Sequence, residues 1–237
     1  MGGLRMIEIQ SLNSEEYEDR PYVILSAAMT LDGKIATKTR DSKISCIEDL
    51  KRVHKLRASV DAIMVGIGTV LIDDPKLLVK YYEGRNPIRV VVDSKARIPL
   101  NAKVITEGGA RTVVAVTDLA PISKVEELKR VGVEVVVAGS GEEVDLKLLM
   151  RKLRAMGVRT LMLEGGATLN WSMVKEGLID EVRVAIAPVI VGGRDALSLV
   201  EGEGFNYVDE GLKLKLERVE TCGEDLVLYY KVQRRQN

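Results

Sequence analysis

From Pro21 onward the chain alternates short apolar runs with stretches of helical period. Tyr22–Ala28 is a nearly continuous apolar run of strand length, and Asp32-Gly33 after it is a turn signal. Ser45 to Arg57 then repeats at helical spacing: Ile47, Leu50, Val53, His54 and Arg57 share one face, which puts His54 near the buried side. Ser45 is the expected N-cap of this helix, with Glu48 three residues on to complete a capping box. Asp61–Val65, Ile88–Val92, Thr112–Val116, Glu134–Val137 and Thr160–Leu163 read as further short strands. Between them, Ser123–Arg130 and Val144–Met156 read as helices, each followed by a glycine, Gly132 or Gly157, at the C-terminal cap.

Strands and helices in alternation predict a mainly parallel sheet with helices on both faces. The tail changes period. Leu212–Val219 alternates apolar and polar residues, and Asp225–Val232 follows after a Cys-Gly-Glu turn, the pattern of an antiparallel hairpin. The expectation is one α/β domain over 21–237 with a mixed sheet, preceded by a polar, acidic lead-in over 1–20.

Composition then removes whole classes of function. The chain has 237 residues with 35 Lys+Arg against 35 Asp+Glu, and aromatics make up 4%. A protein that displaces phosphate counterions needs a basic excess, and a base-stacking platform needs aromatics, so nucleic acid is not an expected partner. No apolar stretch approaches the ~20 residues that span a bilayer. The first residues carry no apolar core of signal-peptide type, so no membrane association and a cytoplasmic location are expected. Cys46 and Cys222 are far apart and His54 is the only imidazole. That inventory argues against a zinc site or a Ser-His-Asp triad, and no metal site is expected.

Ligands on open α/β sheets bind at the carboxyl ends of strands, and four such ends carry polar or glycine-rich sequence. After the first strand come Asp32 and Lys34, which suit substrate polarisation or proton transfer, or equally a plain Asp-Gly turn beside a solvated lysine. After the second comes Val65-Gly66-Ile67-Gly68-Thr69-Val70-Leu71. It opens like a dinucleotide fingerprint but has Leu71 in place of the third glycine, which leaves a tight turn with Thr69 and Asp73 as hydrogen-bonding groups. The Asp73-Asp74 pair also admits a metal, or a helix or turn cap at Asp74. After the third, Ser94, Lys95, Ala96 and Arg97 offer a hydroxyl, an ammonium and a guanidinium that suit a phosphate monoester, against the alternative of a solvated basic loop. After the fourth, Glu164, Gly165 and Gly166 precede a helix starting near Thr168. Backbone amides there suit a pyrophosphate, and glycine lets the phosphate oxygens approach. Trp171 reads as core or interface.

Taken together and in this order, MTLDGKIA (Met29–Ala36), LRASVDAIMVGIGTVLIDDPKL (Leu56–Leu77), RVVVDSKARIP (Arg89–Pro99) and LEGGATLNW (Leu163–Trp171) resemble the riboflavin-biosynthesis reductases. These comprise the C-terminal half of the bacterial bifunctional deaminase–reductase and its stand-alone archaeal and fungal counterparts, of which the archaeal type is the nearest. The resemblance runs from about Arg20 to the C-terminus. It implies a dihydrofolate-reductase-like, three-layer α/β/α fold, a homodimer, and NADPH as hydride donor, with NADH a weaker one. The implied reaction opens a ribosylaminopyrimidinone 5′-phosphate to an imine and reduces C1′, giving the ribitylamino compound.

Carried over by motif, the resemblance lays Thr69 and Asp73 along the cofactor. It assigns Ser94, Lys95, Ala96 and Arg97 to the adenosine 2′-phosphate, and Gly165, Gly166, Ala167 and Thr168 to the pyrophosphate. Ser42, Arg57, Lys80 and Glu164 fall at substrate-binding positions, with Arg57 and Lys80 suited to the 5′-phosphate and Glu164 also a catalytic candidate. Ile44 stands where the bacterial pattern has a tryptophan near the cofactor. Asp32 is the candidate for stabilising the cationic imine, and Lys34 for orienting ribose hydroxyls or phosphate. The deaminase signatures H-x-E and P-C-x-x-C are absent, so the expected substrate is the 2,5-diamino compound, with the deaminated uracil form as the alternative. A dihydrofolate or pteridine reductase and a non-catalytic nucleotide sensor are the rival readings. Since the chain is neutral overall, attraction of two phosphate ligands is expected from a locally positive cleft.

Overall fold

The computed structural model describes residues 18–233. The lead-in expected over 1–20 therefore falls outside the described residues except at its end, where the guanidinium of Arg20 grips the Asp180 carboxylate at 2.7 Å.

The elements run β1 (Tyr22–Thr30), α1 (Ile47–Ser59), β2 (Ala62–Gly66), α2 (Ile67–Asp73), β3 (Ile88–Val92), α3 (Lys103–Thr106), β4 (Thr112–Val116), α4 (Ile122–Arg130), β5 (Glu134–Val137), α5 (Leu146–Ala155), β6 (Thr160–Gly165), α6 (Ala167–Lys175), β7 (Glu181–Ala187), β8 (Leu214–Cys222) and β9 (Asp225–Val232). They build one nine-stranded sheet in the order β5-β4-β3-β2-β6-β1-β7-β9-β8. The strands from β5 to β7 are parallel, and β9 and β8 complete the sheet antiparallel. A mixed, mainly parallel sheet with a terminal hairpin is the expected architecture.

Two apolar layers close the sheet. On one face Leu149, Met150 and Leu153 of α5 and Met173 of α6 pack on Leu25, Met64, Val90 and Leu163. On the other, Ile67 and Val70 of α2 and Leu128 of α4 cover Val65, Val91 and Val114, and Leu56 of α1 covers Ile24 and Met162. The Val-rich runs of β3 and β4 follow from this arrangement, because a parallel strand buried on both faces has no polar side to write into its sequence.

Three local expectations change. Ser45 does not cap α1. Cys46 holds the N-cap position without a side-chain cap bond, and the Asp225 carboxylate from the distant hairpin accepts its backbone N–H at 3.0 Å. The presumed tight turn after β2 is a helix, α2, whose buried side is Ile67 and Val70. Leu71 there is exposed, so nothing requires the third glycine of a dinucleotide fingerprint. Finally, β7 has no counterpart in the sequence-based element list, although it supplies the parallel neighbour of β1 and the seat of β9.

Candidate active site

The four motif-bearing strand ends, those of β3, β2, β6 and β1, belong to four adjacent strands. The chain builds outward from β2 to β5 and then returns to insert β6 between β2 and β1. That reversal is the topological switch point where open α/β sheets bind ligands. A cleft of about 1630 Å³ lies there, lined by Ser26, Arg57, Gly66, Thr69, Ser94 and Glu164 among others.

Glu164 reaches the cleft through an irregularity in the sheet. Met64 pairs with Leu163 and Val65 with Gly165, so the β2–β6 register skips Glu164; a bulge of this kind re-aims a side chain. Across the cleft, Arg57 of α1 donates to both carboxylate oxygens of Glu164 at 2.7 Å and to the Leu78 carbonyl at 3.2 Å. Burial opposes the Arg57 charge, but the Glu164 carboxylate outweighs it and raises the guanidinium pKa. One turn away, His54 accepts the Lys80 amide N–H on Nδ1 at 2.8 Å. Burial, aided by Arg57 and Lys80, pushes the His54 pKa down to about 4, so the imidazole is neutral and serves as an acceptor. His54 and Arg57 together pin the 78–80 segment.

The turn from β6 into α6 is tied to α2 by the Gly166 N–H donating to Thr69 Oγ1 at 3.1 Å. Gly165 has φ +92°, where a side chain is strained. Gly166 is the N-cap of α6, so the first amides of that helix open to the cleft beside Ala167 and Thr168. Among the described residues nothing lies within 4 Å of an added Cβ at Gly68, which also lines the cleft. An extended, anionic dinucleotide fits these features: backbone bared by glycine, a helix N-terminus and a hydroxyl at one place.

Beyond β3, Asp93 accepts the Ile98 N–H at 2.8 Å and so closes a loop in which Ala96 is buried with φ +52°. Ser94, Lys95 and Arg97 line the far end of the cleft, but each is engaged. Ser94 Oγ accepts the Val144 N–H at 3.2 Å, Lys95 pairs with Glu142 at 2.5 Å, and Arg97 lies 3.6 Å from Asp93. Asp73 also lines the cleft, and desolvation raises its pKa. Asp74 turns away, its carboxylate accepting the Lys103 N–H at 2.8 Å, so the two adjacent acids do not converge as a metal site would need.

Several expected site residues are elsewhere. Asp32 is exposed and absent from the cleft lining. Its carboxylate accepts the Thr30 hydroxyl at 2.6 Å and the Gly192 N–H at 2.8 Å, with the Thr30 bond foremost in lowering its pKa. Lys34 donates to the Ala196 carbonyl at 3.0 Å and Ser198 Oγ at 3.2 Å. Both act as anchors between the β1 turn and the 190–198 segment, because a turn that must hold a distant loop spends its polar groups on that loop. Lys80 lies outside the lining too, its ammonium 4.8 Å from the Tyr81 ring centroid; Ile44 is likewise not a lining residue. Ser42 does line the cleft, accompanied by Arg40, which sequence reasoning passed over. Arg40 sits in a loop at φ +70°, where no periodicity marks it. The cleft is not locally positive, since acidic side chains outnumber basic ones along it. Attraction of phosphate falls to individual groups and to the α6 N-terminus.

Known proteins resemble this chain along most of its length. The chain is 57% identical to the 2,5-diamino-6-ribosylamino-4(3H)-pyrimidinone 5′-phosphate reductase of Methanothermobacter thermautotrophicus, over 90% of this chain and 99% of that one. Among solved structures, RibD of Acinetobacter baumannii superposes with a TM-score of 0.78 at 29% identity, over 91% of this chain but 58% of that longer protein. The riboflavin biosynthesis reductase Rib7 of Saccharomyces cerevisiae has the same dihydrofolate-reductase-like fold, with a TM-score of 0.71 at 23% identity and 90% of each chain covered. The sequence model of the RibD C-terminal domain matches residues 21–228, and the chain belongs to that family.

Proposed function

We propose that this chain reduces the ribosylamino group of 2,5-diamino-6-ribosylamino-4(3H)-pyrimidinone 5′-phosphate to a ribitylamino group, with NADPH as the donor. The observation that carries this reading is the gathering of the Gly166 turn, Thr69 and the Arg57–Glu164 pair around one cleft at the switch point. The name of the relative that matches along nearly its whole length supplies the substrate. A bound nicotinamide dinucleotide supplies the hydride that C1′ of the ring-opened imine accepts.

The protein's part is positioning and electrostatics. The amides beside Gly166, Ala167 and Thr168 take the pyrophosphate, with Gly165 shaping the turn and Thr69 and Asp73 flanking the dinucleotide. Lys95 and Arg97 take the 2′-phosphate, Lys95 exchanging Glu142 for it, with Ser94 and Ala96 shaping that loop. Glu164 assumes the role expected of Asp32, a fixed carboxylate that favours the cationic imine. Arg57 is committed to Glu164, so Arg40 and Ser42, which line the same cleft, receive the 5′-phosphate. The exposed apolar side chains Leu214, Leu216 and Val219 on edge strand β8 favour a homodimer, since long apolar edges invite pairing.

Mixing the protein with NADPH and the diamino substrate and following the nicotinamide absorbance tests the reading. Steady oxidation of NADPH is the expected result. No turnover with either the diamino or the deaminated substrate would overturn it.

A further inference from the structure

Asp49, Val53 and Arg57 stand four residues apart on one face of α1, and all three line the cleft. Asp49 is 0% exposed. Its Oδ1 accepts the Arg52 Nε–H at 2.7 Å, while Oδ2 is buried with no hydrogen-bond partner among the described residues, and so are Nη1 and Nη2 of Arg52. On the adjoining wall, Ser26 of β1 is 3% exposed, lines the same cleft, and its hydroxyl also has no partner among the described residues. A buried carboxylate oxygen left unpaired is expensive, and with a hydroxyl free to accept on the neighbouring wall it points to a ligand that brings N–H donors to this part of the cleft. The Arg52 guanidinium supplies Asp49 with its counter-charge and holds its orientation, so the acid stays available.

Resting on the reductase reading above, we propose that Asp49, assisted by Ser26, recognises the amino-bearing edge of the pyrimidinone and makes the chain selective for the 2-amino substrate over its deaminated form. A 2-amino-4(3H)-pyrimidinone presents its exocyclic N–H and its ring N3–H side by side, two parallel donors for acceptors on the protein. The deaminated ring replaces the amino group with a carbonyl oxygen, which loses one hydrogen bond and sets a lone pair against the carboxylate. That edge lies across the ring from the ribosylamino substituent. Eight residues of helix put Asp49 about 12 Å along α1 from Arg57, a span that suits a base at one end and the reacting sugar at the other.

The experiment measures kcat/KM with NADPH for the diamino and the deaminated substrate, on the wild-type protein, Asp49→Asn and Ser26→Ala. Wild type is expected to prefer the diamino substrate by on the order of 100-fold or more, as sites built to bind an N–H do. Asp49→Asn, whose amide can donate to the carbonyl, should lose most of its diamino activity, gain on the deaminated substrate and keep its affinity for NADPH. Ser26→Ala should narrow the preference several-fold, which keeps the test open if the Asp49 variant does not fold. Equal use of both substrates by wild type, or a parallel loss on both in the variants, would overturn the proposal while leaving the reductase reading intact. Absence of any turnover by wild type would remove both.

Discussion

Arg57 on α1 and Glu164 at the bulge of β6 face each other across the cleft, joined by two hydrogen bonds of 2.7 Å. Lysine cannot reproduce that fork. Arg57→Lys should therefore lower kcat/KM for the pyrimidinone by about 10- to 100-fold, the worth of a charge-assisted hydrogen bond, with NADPH affinity unchanged. Titration of NADPH by fluorescence alongside steady-state kinetics checks both halves.

The two glycines of the β6–α6 turn should respond differently. An added Cβ at Gly165 meets Asn170 at 3.3 Å from a backbone at φ +92°, whereas one at Gly166 meets only Thr69 Oγ1 at 3.5 Å, an ordinary contact. Gly165→Ala should lose about 1–3 kcal/mol of stability through backbone strain. Gly166→Ala should melt near the wild-type temperature yet bind NADPH roughly tenfold more weakly, because the methyl group stands where phosphate approaches. Calorimetry and cofactor titration separate the two outcomes.

Lys95 is paired with Glu142 at 2.5 Å, so a 2′-phosphate must compete with a carboxylate. Replacing Lys95 and Arg97 together should weaken NADPH by about 10- to 100-fold and NADH by little. Glu142→Gln should tighten NADPH by a few-fold, the modest worth of an exposed ion pair, again without effect on NADH. Equal changes for the two dinucleotides would place the 2′-phosphate elsewhere.

His54 makes a pH prediction. Burial holds its pKa near 4 in the folded chain against 6.5 when free, so the unfolded chain binds more protons between these values. Its contribution to stability is complete above about pH 6.5 and is lost as pH falls toward 4. In His54→Asn, whose side-chain oxygen can still accept the Lys80 N–H, the urea midpoint should fall less steeply than wild type over that range. Parallel curves would show that the imidazole protonates freely in the fold.

Much of the sheet was legible in the chain because burial on both faces writes itself locally. The runs Ile88–Val92 and Thr112–Val116 begin and end where the strands do, and so does Glu134–Val137, a partly exposed edge strand marked by its run of valines. The terminal hairpin was equally plain from its alternation. The helix α2 was obscured, since a short segment with two glycines reads as a turn and only Ile67 and Val70 face inward. The α1 cap was invisible for another reason: the carboxylate of Asp225 that meets the Cys46 N–H belongs to the other end of the chain. The site residues divided likewise. Thr69 and the glycine turn announced themselves as motifs, whereas the cleft-lining Asp49 belongs to no motif. Asp32 and Lys34 looked catalytic because the anchors they hold, near Gly192 and Ser198, lie about 160 residues away.

By itself the sequence determined most of the strands, though not β7, the glycine-rich and polar character of four strand ends, and which family those motifs match. Periodicity and glycine placement are properties of neighbouring residues, and they survive without knowledge of the rest. Only the tertiary structure decided that the ends of β3, β2, β6 and β1 stand side by side, because that depends on β6 returning to insert between β2 and β1. The same insertion carries Glu164 to Arg57 and the Gly166 turn to Thr69. A side chain's chemistry is set by what it faces, and what it faces is set by strand order.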